Sequence, residues 1–180
     1  MRIETACARM DGMPHDIEII RPPMRDAEVR MRAGSTPPAD LGLIRKGLLT
    51  LHTLELMAAT IYRCQISSRS TGLDRALVAA MCNEMTHLQD FQVKLYEFGW
   101  RPSRLRWAYG IVGWCLGTFS RLRGPKAILK TGIWVETKAV HHYSELLGRI
   151  PWDDETRAII EKNQADEYGH VERWKSMLAE

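Results

Sequence analysis

The sequence predicts an all-α fold, and three observations carry that expectation. Apolar residues recur at intervals of three and four along five stretches between about Asp40 and the C-terminal end. Glycine and proline punctuate those stretches, at Gly72, Gly99, Pro102, Gly124-Pro125 and Pro151. One polar step, Glu-x-x-His, occurs twice inside an apolar stripe, as Glu84-Met85-Thr86-His87 and as Glu167-Tyr168-Gly169-His170.

Residues 1–40 are expected to form an extended or partly disordered arm. Five prolines (Pro14, Pro22, Pro23, Pro37, Pro38) interrupt it, and the run Ile17 to Ile20 fits a short strand or a segment packed across the bundle. Ser35 or Thr36, ahead of Pro37-Pro38-Ala39-Asp40, reads as the entry to a first helix reaching about Ser68. A second is expected from about Leu73 to Phe98, ended by Gly99. The third stretch, Ser103 to Leu122, is apolar nearly all round from Trp107 to Phe119, and arginines and lysines flank it on both sides. It falls short of the roughly 20 residues that span a bilayer. Two readings stand and are compatible, because one face can serve each: a buried helix, and a helix in a membrane interface with Trp107, Tyr109, Trp114, Leu116 and Phe119 at the membrane or the substrate access. Gly124-Pro125 opens a fourth helix ending around Gly148. The acids after Pro151-Trp152 open a fifth, so residues 41–180 make one helical-bundle domain.

Helical periodicity turns the acids inward. Leu77, Ala80, Met81, Glu84, His87, Phe91 and Leu95 share one stripe, and Ile160, Asn163, Glu167, His170, Trp174 and Met177 share another. Each step has an upstream companion on its own stripe: Glu55, 29 residues before Glu84, and Glu136, 31 residues before Glu167. The chain is therefore an internal repeat of two helix pairs. An ionised carboxylate left alone in an apolar interior costs on the order of tens of kcal/mol in the idealised limit. No row of lysine or arginine falls on these stripes. Two metal ions held by Glu55, Glu84, His87, Glu136, Glu167 and His170 satisfy all six groups together. One Glu from each of two helices plus Glu-x-x-His from each of two others is the ferritin-like arrangement. The expected architecture is thus a ferritin-like four-helix bundle with an additional apolar helix between the two helix pairs. Oxygen-rich ligation with one imidazole per metal suits iron, with manganese as the substitute, better than zinc or copper. Ordinary polar core residues are the alternative, and the repetition argues against it. His52, three residues before Glu55 on the same face, either orients that ligand through a hydrogen bond or is an ordinary histidine. Trp134 and Trp174 are expected to pack, and Tyr143, taken alone, reads as core.

Several further stretches carry a resemblance. They are His52-x-x-Glu55 with Ile61-Tyr62, Glu84-x-x-His87 with Phe91, Gly99-Trp100-Arg101-Pro102-Ser103, Gly113-x-x-Leu116-Gly117, Val135-Glu136-x4-His141-His142-Tyr143 and Asp166-Glu167-x-x-His170. Together they resemble the demethoxyubiquinone hydroxylase family, the di-iron monooxygenases of ubiquinone biosynthesis, from about Ile44 to Glu172. The resemblance implies a peripheral membrane enzyme that adds one oxygen atom of O2 to the benzoquinone ring of a polyprenyl quinone. It implies that the six residues bind iron, and that His142 and Tyr143 help pass electrons or protons to bound quinone. Leu54 stands where family members usually have glycine, Thr137 replaces a second acid, and the family usually carries a further helix after its last Glu-x-x-His, whereas this sequence stops at Glu180.

Composition narrows the rest. With 45% hydrophobic and 26% charged residues and a net charge of +3, the 180-residue chain reads as globular, and nothing in it suggests nucleic acid. Cys7, Cys64, Cys82 and Cys115 show no pairing or metal-ligand spacing, which fits a reducing compartment. Met1 to Gly12 lacks the apolar centre of a signal peptide, so the expected location is cytoplasmic, with a peripheral place on the inner membrane face. No Gly-x-Gly-x-x-Gly unit is present, so the electrons are expected from an external reductant such as NADH, a partner protein or the quinol itself. A partner protein of quinone biosynthesis and a homodimer are the assemblies considered. The other readings are a ferritin-like di-iron oxidase or peroxidase acting on another substrate, iron storage, and a member that binds quinone without turnover.

Overall fold

Two apolar plugs with a polar layer between them define the bundle. The computed structural model describes residues 24–180 except 33, 35, 69 and 70. After a 3₁₀ turn at Asp26–Glu28 come five helices: α1 (Pro38–Gln65), α2 (Gly72–Glu97), α3 (Arg106–Leu122), α4 (Pro125–Arg149) and α5 (Asp154–Ala179). No strand occurs among the described residues. α1 packs along α2 and α3, α4 along α5, and the two pairs meet through α1 with α4 and α2 with α5. This is the all-α, ferritin-like bundle with an added helix between the pairs.

The helix ends follow local chemistry. Pro38 lies in the first turn of α1, where a missing N–H costs nothing. Thr36 does not cap the helix; its hydroxyl donates to the Arg32 carbonyl instead. Thr71 and Asp74 form a capping box at the start of α2, and Asp74 also accepts from the Ser67 amide at 2.7 Å, closing the α1–α2 turn. Gly99 (φ 73°) ends α2, with the Trp100 amide returning to the Leu95 carbonyl. Gly124 (φ 90°) makes the turn into α4, and Asp153 caps α5 through the Thr156 amide.

One plug holds Leu48, Leu51, Phe91, Leu95, Tyr143 and Ile160; the other holds Tyr62, Leu77, Ala80, Leu129 and Trp174. In sequence every Glu-x-x-His step and its companion falls between the two plugs.

The last part of the residue 1–40 segment is anchored to the bundle. Ile17 to Ile20, Cys7 and Ser35 lie outside the described residues, but Arg32 is buried. Its guanidinium reaches Glu97 (2.5 Å), Asp153 (2.7 Å) and Glu155 (2.5 Å), while Lys94 bridges Glu97 and Glu155. Arg32 thereby ties the end of α2 to the start of α5. Truncating one member of a buried ion cluster typically costs about 3–5 kcal/mol, and the half-exposed Asp153 and Glu155 place Arg32→Ala near the lower end. Urea unfolding checks this: a midpoint equal to the parent's contradicts it.

The third helix is divided between two faces. It begins at Arg106 and buries only Gly113, Gly117 and Ser120, all on the face that meets α1. Ser120 accepts from the Gln65 amide at 2.8 Å. Trp107, Tyr109, Ile111, Val112, Trp114, Phe119 and Leu122 are exposed, and Leu116 is half-buried against the α1 side. The small residues make the contact with α1 and the aromatic ones face outward, so one face of the helix is buried and the other exposed.

Candidate metal centre

Four helices bring the six side chains into one layer: Glu55 from α1, Glu84 and His87 from α2, Glu136 from α4, Glu167 and His170 from α5. They make two overlapping groups, in each of which the ligand atoms lie within 4.8 Å of one another. Glu55, Glu84, His87 and Glu167 form the first, and Glu84, Glu136, Glu167 and His170 the second, so Glu84 and Glu167 belong to both. His87 Nδ1 stands 2.9 Å from Glu167, and His170 Nδ1 stands 3.1 Å from Glu84.

Closeness here does not mean satisfaction. Both carboxylate oxygens of Glu84 and Glu167, Oε2 of Glu136 and Nδ1 of both histidines lack an aligned hydrogen-bond partner among the described residues. Buried polar atoms are ordinarily paired, and orphans of this number converging on one place fit cations that they would ligate. Hard carboxylate oxygens with one imidazole per group are the donors of such a site. These buried groups could therefore hold metal ions.

A supporting set of side chains surrounds the layer. Tyr143 Oη donates to Glu55 Oε1 at 2.5 Å, and Tyr62 donates to Glu136 while accepting from Trp174 Nε1 at 3.1 Å. Tyr62 lies seven residues after Glu55, and Tyr143 seven after Glu136. Each half of the repeat thus sends a tyrosine to the other half's glutamate. The Glu-x6-Tyr spacing was the sequence signal for this exchange, and sequence reasoning did not use it. It also gave no role to Asp166, whose carboxylate lies 3.1 Å from His87 Nε2 and accepts from Lys162. That contact fixes the ring so that Nδ1 faces the layer. Trp174 packs as expected and also holds Tyr62.

Electrostatics of the metal-free layer are set by crowding. Burial, then the charges of Glu167 and Glu136, push Glu84 well above the usual carboxyl range; burial, then Glu167, push Glu136 up to about 8. Burial alone would lower His87 and His170, but the carboxylates around them outweigh it and raise both well above the ordinary imidazole value. Burial opposes ionisation of Glu167, yet the two imidazoles hold it well below the usual range. Glu136 keeps its proton in the fold where the unfolded chain has lost its own, so its contribution to stability is complete below about pH 4.5 and lost by about pH 8. Glu84 and the imidazoles carry the same sign. Metal-depleted protein is expected to lose thermal stability as pH rises from about 5 to about 8, and a melting temperature that climbs over this range contradicts it.

The layer opens on one side into an apolar pocket of about 360 Å³ between α1 and α4. Glu55, Glu84 and Glu136 lie at its inner end; Leu54, Met57, Ala58, Val135 and Ala139 line it; Lys138, His141 and His142 complete its wall. Nε2 of His142 is buried without a hydrogen-bond partner, and Nδ1 lies 3.8 Å from Glu145. Trp134, expected to pack, instead lines this pocket and is exposed. His52 is buried, but its Nε2 lies 3.4 Å from Gln92 Oε1, and the hydrogen bond to Glu55 comes from Tyr143.

Comparison with known proteins bears on this geometry. A family model described as ubiquinone biosynthesis protein COQ7 matches residues 45–176, which hold all six layer residues. This chain belongs to the COQ7 family. A Legionella pneumophila relative, named 3-demethoxyubiquinol 3-hydroxylase, is 32% identical over 124 residues, covering 67% of this chain and 57% of the relative. A Dictyostelium discoideum relative, named NADPH-dependent 3-demethoxyubiquinone 3-hydroxylase, mitochondrial, is 30% identical over 125 residues, covering 67% and 58%. An Alcanivorax borkumensis 3-demethoxyubiquinol 3-hydroxylase is 29% identical over 139 residues, covering 76% and 64%. The COQ7-family chain thus spans under two thirds of the length of these relatives. Among its described residues no helix is long and apolar enough to cross a membrane.

Proposed function

We propose that this chain hydroxylates the ring of a demethoxyubiquinone-type polyprenyl quinone with O2, in ubiquinone biosynthesis. The observation that supports this reading is a layer of orphaned carboxylates and imidazoles at the inner end of an apolar pocket. Glu55, Glu84, His87, Glu136, Glu167 and His170 would hold two iron ions, or manganese in their place. Once bound and reduced, such a pair supplies the activation of O2. In balance, one oxygen atom enters a ring C–H as hydroxyl, and the other leaves as water with two electrons and two protons. The electrons come from an external reductant such as NADH or NADPH.

The chain's own part is binding and proton placement. Leu54, Met57, Ala58, Val135 and Ala139 take the apolar ring and exclude water. His142 Nε2, buried without a partner on the pocket wall, is placed to hydrogen-bond a ring oxygen. Tyr143 and Tyr62 hold protons against Glu55 and Glu136 and keep those carboxylates oriented. The exposed face of α3, with Trp107, Tyr109, Trp114 and Phe119 between arginines, is read as the membrane-interface surface that collects an isoprenoid substrate. Residues 41–180 act as the catalytic domain, peripheral on the inner membrane face.

The test supplies iron-loaded protein with O2, a reductant and a short-tailed demethoxyquinone. The expected product is heavier by one oxygen atom, which label from ¹⁸O2 traces to the gas. O2 uptake indifferent to the quinone would sink this reading and leave a di-iron oxidase or peroxidase acting on another substrate.

A further inference from the structure

The same layer has a second opening, on the opposite side of the bundle. A cleft of about 330 Å³ between α2 and α5 is bordered by Ala165 and Gly169 and lined by Asn83, Asp166, Arg173 and His170. The two openings differ in chemistry: the α1–α4 pocket is mostly apolar, with Lys138, His141 and His142 on part of its wall, whereas the α2–α5 cleft sets an amide, a carboxylate, an imidazole and a guanidinium among small residues.

Exposure of the layer residues follows this division. Glu84, His87, Glu136 and Glu167 are fully covered, while His170 retains 8% of its surface. Its Nδ1 faces Glu84, Glu136 and Glu167. Asn83 carries a buried Oδ1 without a partner. Asp166, on the cleft wall, already lies against His87 Nε2 and Lys162.

We infer that the α2–α5 cleft is the route by which metal ions reach and leave the layer, with Asn83, Asp166 and His170 as the groups that a partly hydrated divalent cation meets on the way. The inference rests on the reading of the layer as a metal centre. A cation stripped of water along mostly apolar walls loses solvation with little to replace it, which is strongly unfavourable. Along the cleft, oxygen and nitrogen donors replace the lost waters in sequence. The ion and the apolar substrate then use separate doors, and bound substrate does not bar the metal. Gly169 and Ala165 keep the cleft open because neither has a side chain long enough to cross it. A Cβ built on Gly169 meets no atom within 4 Å, so a larger residue enters the cleft rather than the packed interior. Arg173 is the arginine on this path, and its charge opposes an incoming cation.

Anaerobic cobalt(II) uptake by metal-depleted protein, followed by stopped-flow absorption, tests the route. Gly169→Leu is expected to load about tenfold more slowly and Arg173→Ala faster than the parent. Both should reach the same final cobalt content and keep the parent's helical circular dichroism. Ala139→Phe, which narrows the apolar pocket, should leave the uptake rate unchanged. Equal rates for the parent, Gly169→Leu and Arg173→Ala overturn the route while leaving the metal centre intact. Slowing by Ala139→Phe alone moves the ion to the other pocket. A parent chain that takes up no cobalt overturns the metal centre and the route together.

Discussion

Glu84→Leu is expected to empty both metal positions, whereas Glu55→Leu empties one and spares the other. Glu84 and Glu167 are common to both groups, while Glu55 serves only the first and Glu136 only the second. Losing a shared carboxylate removes a donor from each ion and also the negative charge that lets two cations sit close together. Losing Glu55 leaves Glu84, Glu136, Glu167 and His170 intact around the second position. Without metal, burial and the neighbouring acids push the Glu84 carboxyl well above the usual range, so it holds its proton, and a leucine there would leave the His170 imidazole, 3.1 Å away, without that partner. Elemental analysis on one set of variants reads the difference. A Glu84→Leu protein that keeps one full metal contradicts the assignment of Glu84 as a shared ligand.

Gly117→Val is the second large effect, and it acts on α3 alone. A Cβ at 117 would stand 2.6 Å from the Ile61 carbonyl oxygen and 2.8 Å from the Cys64 Cβ; one at 113 would stand 2.6 Å from the Met57 carbonyl oxygen. These obstacles belong to the backbone of α1, so they cannot rotate aside, and α3 must move away as a body. That movement breaks the Gln65–Ser120 hydrogen bond and opens the Gln65 amide to water. Overpacking against side chains costs about 1–3 kcal/mol, and against fixed backbone the upper end is expected. For a chain of this size about 3 kcal/mol corresponds to a melting temperature lower by roughly 6–12 °C. Gly110 is the control, since a Cβ there meets nothing within 4 Å, and Gly110→Ala should be neutral or slightly stabilising. The bundle holding the layer does not include α3, so metal content should survive Gly117→Val. A Gly117→Val protein that melts with the parent would falsify the close α1–α3 contact.

Much of this was legible in the sequence because buried acids at helical spacing have few explanations. The stripes around Glu55, Glu84, Glu136 and Glu167 placed all four acids inside, and all four are buried. The helix boundaries came close because Gly99, Gly124 and the Thr71–Asp74 box act locally. What escaped depends on which helix lies opposite. His52 shares a face with Glu55, but face alone does not say that Gln92 reaches it first. The contact from Asp166 to His87 crosses from α5 to α2 and leaves no mark in local spacing. In the third helix the sequence left open which face packs, because its most apolar residues are its outermost, and Gly113-x-x-x-Gly117 carried the packing signal. Arg32 sits in a proline-broken segment without periodicity, and its importance comes from Glu97, Asp153 and Glu155, distant in sequence.

The most direct test of the central claim is a crystal structure of iron-loaded protein with anomalous scattering measured at the iron edge. The account predicts two iron peaks inside the layer, one among Glu55, Glu84, His87 and Glu167 and the other among Glu84, Glu136, Glu167 and His170. No peak inside the layer, or iron found only at surface carboxylates, would contradict it.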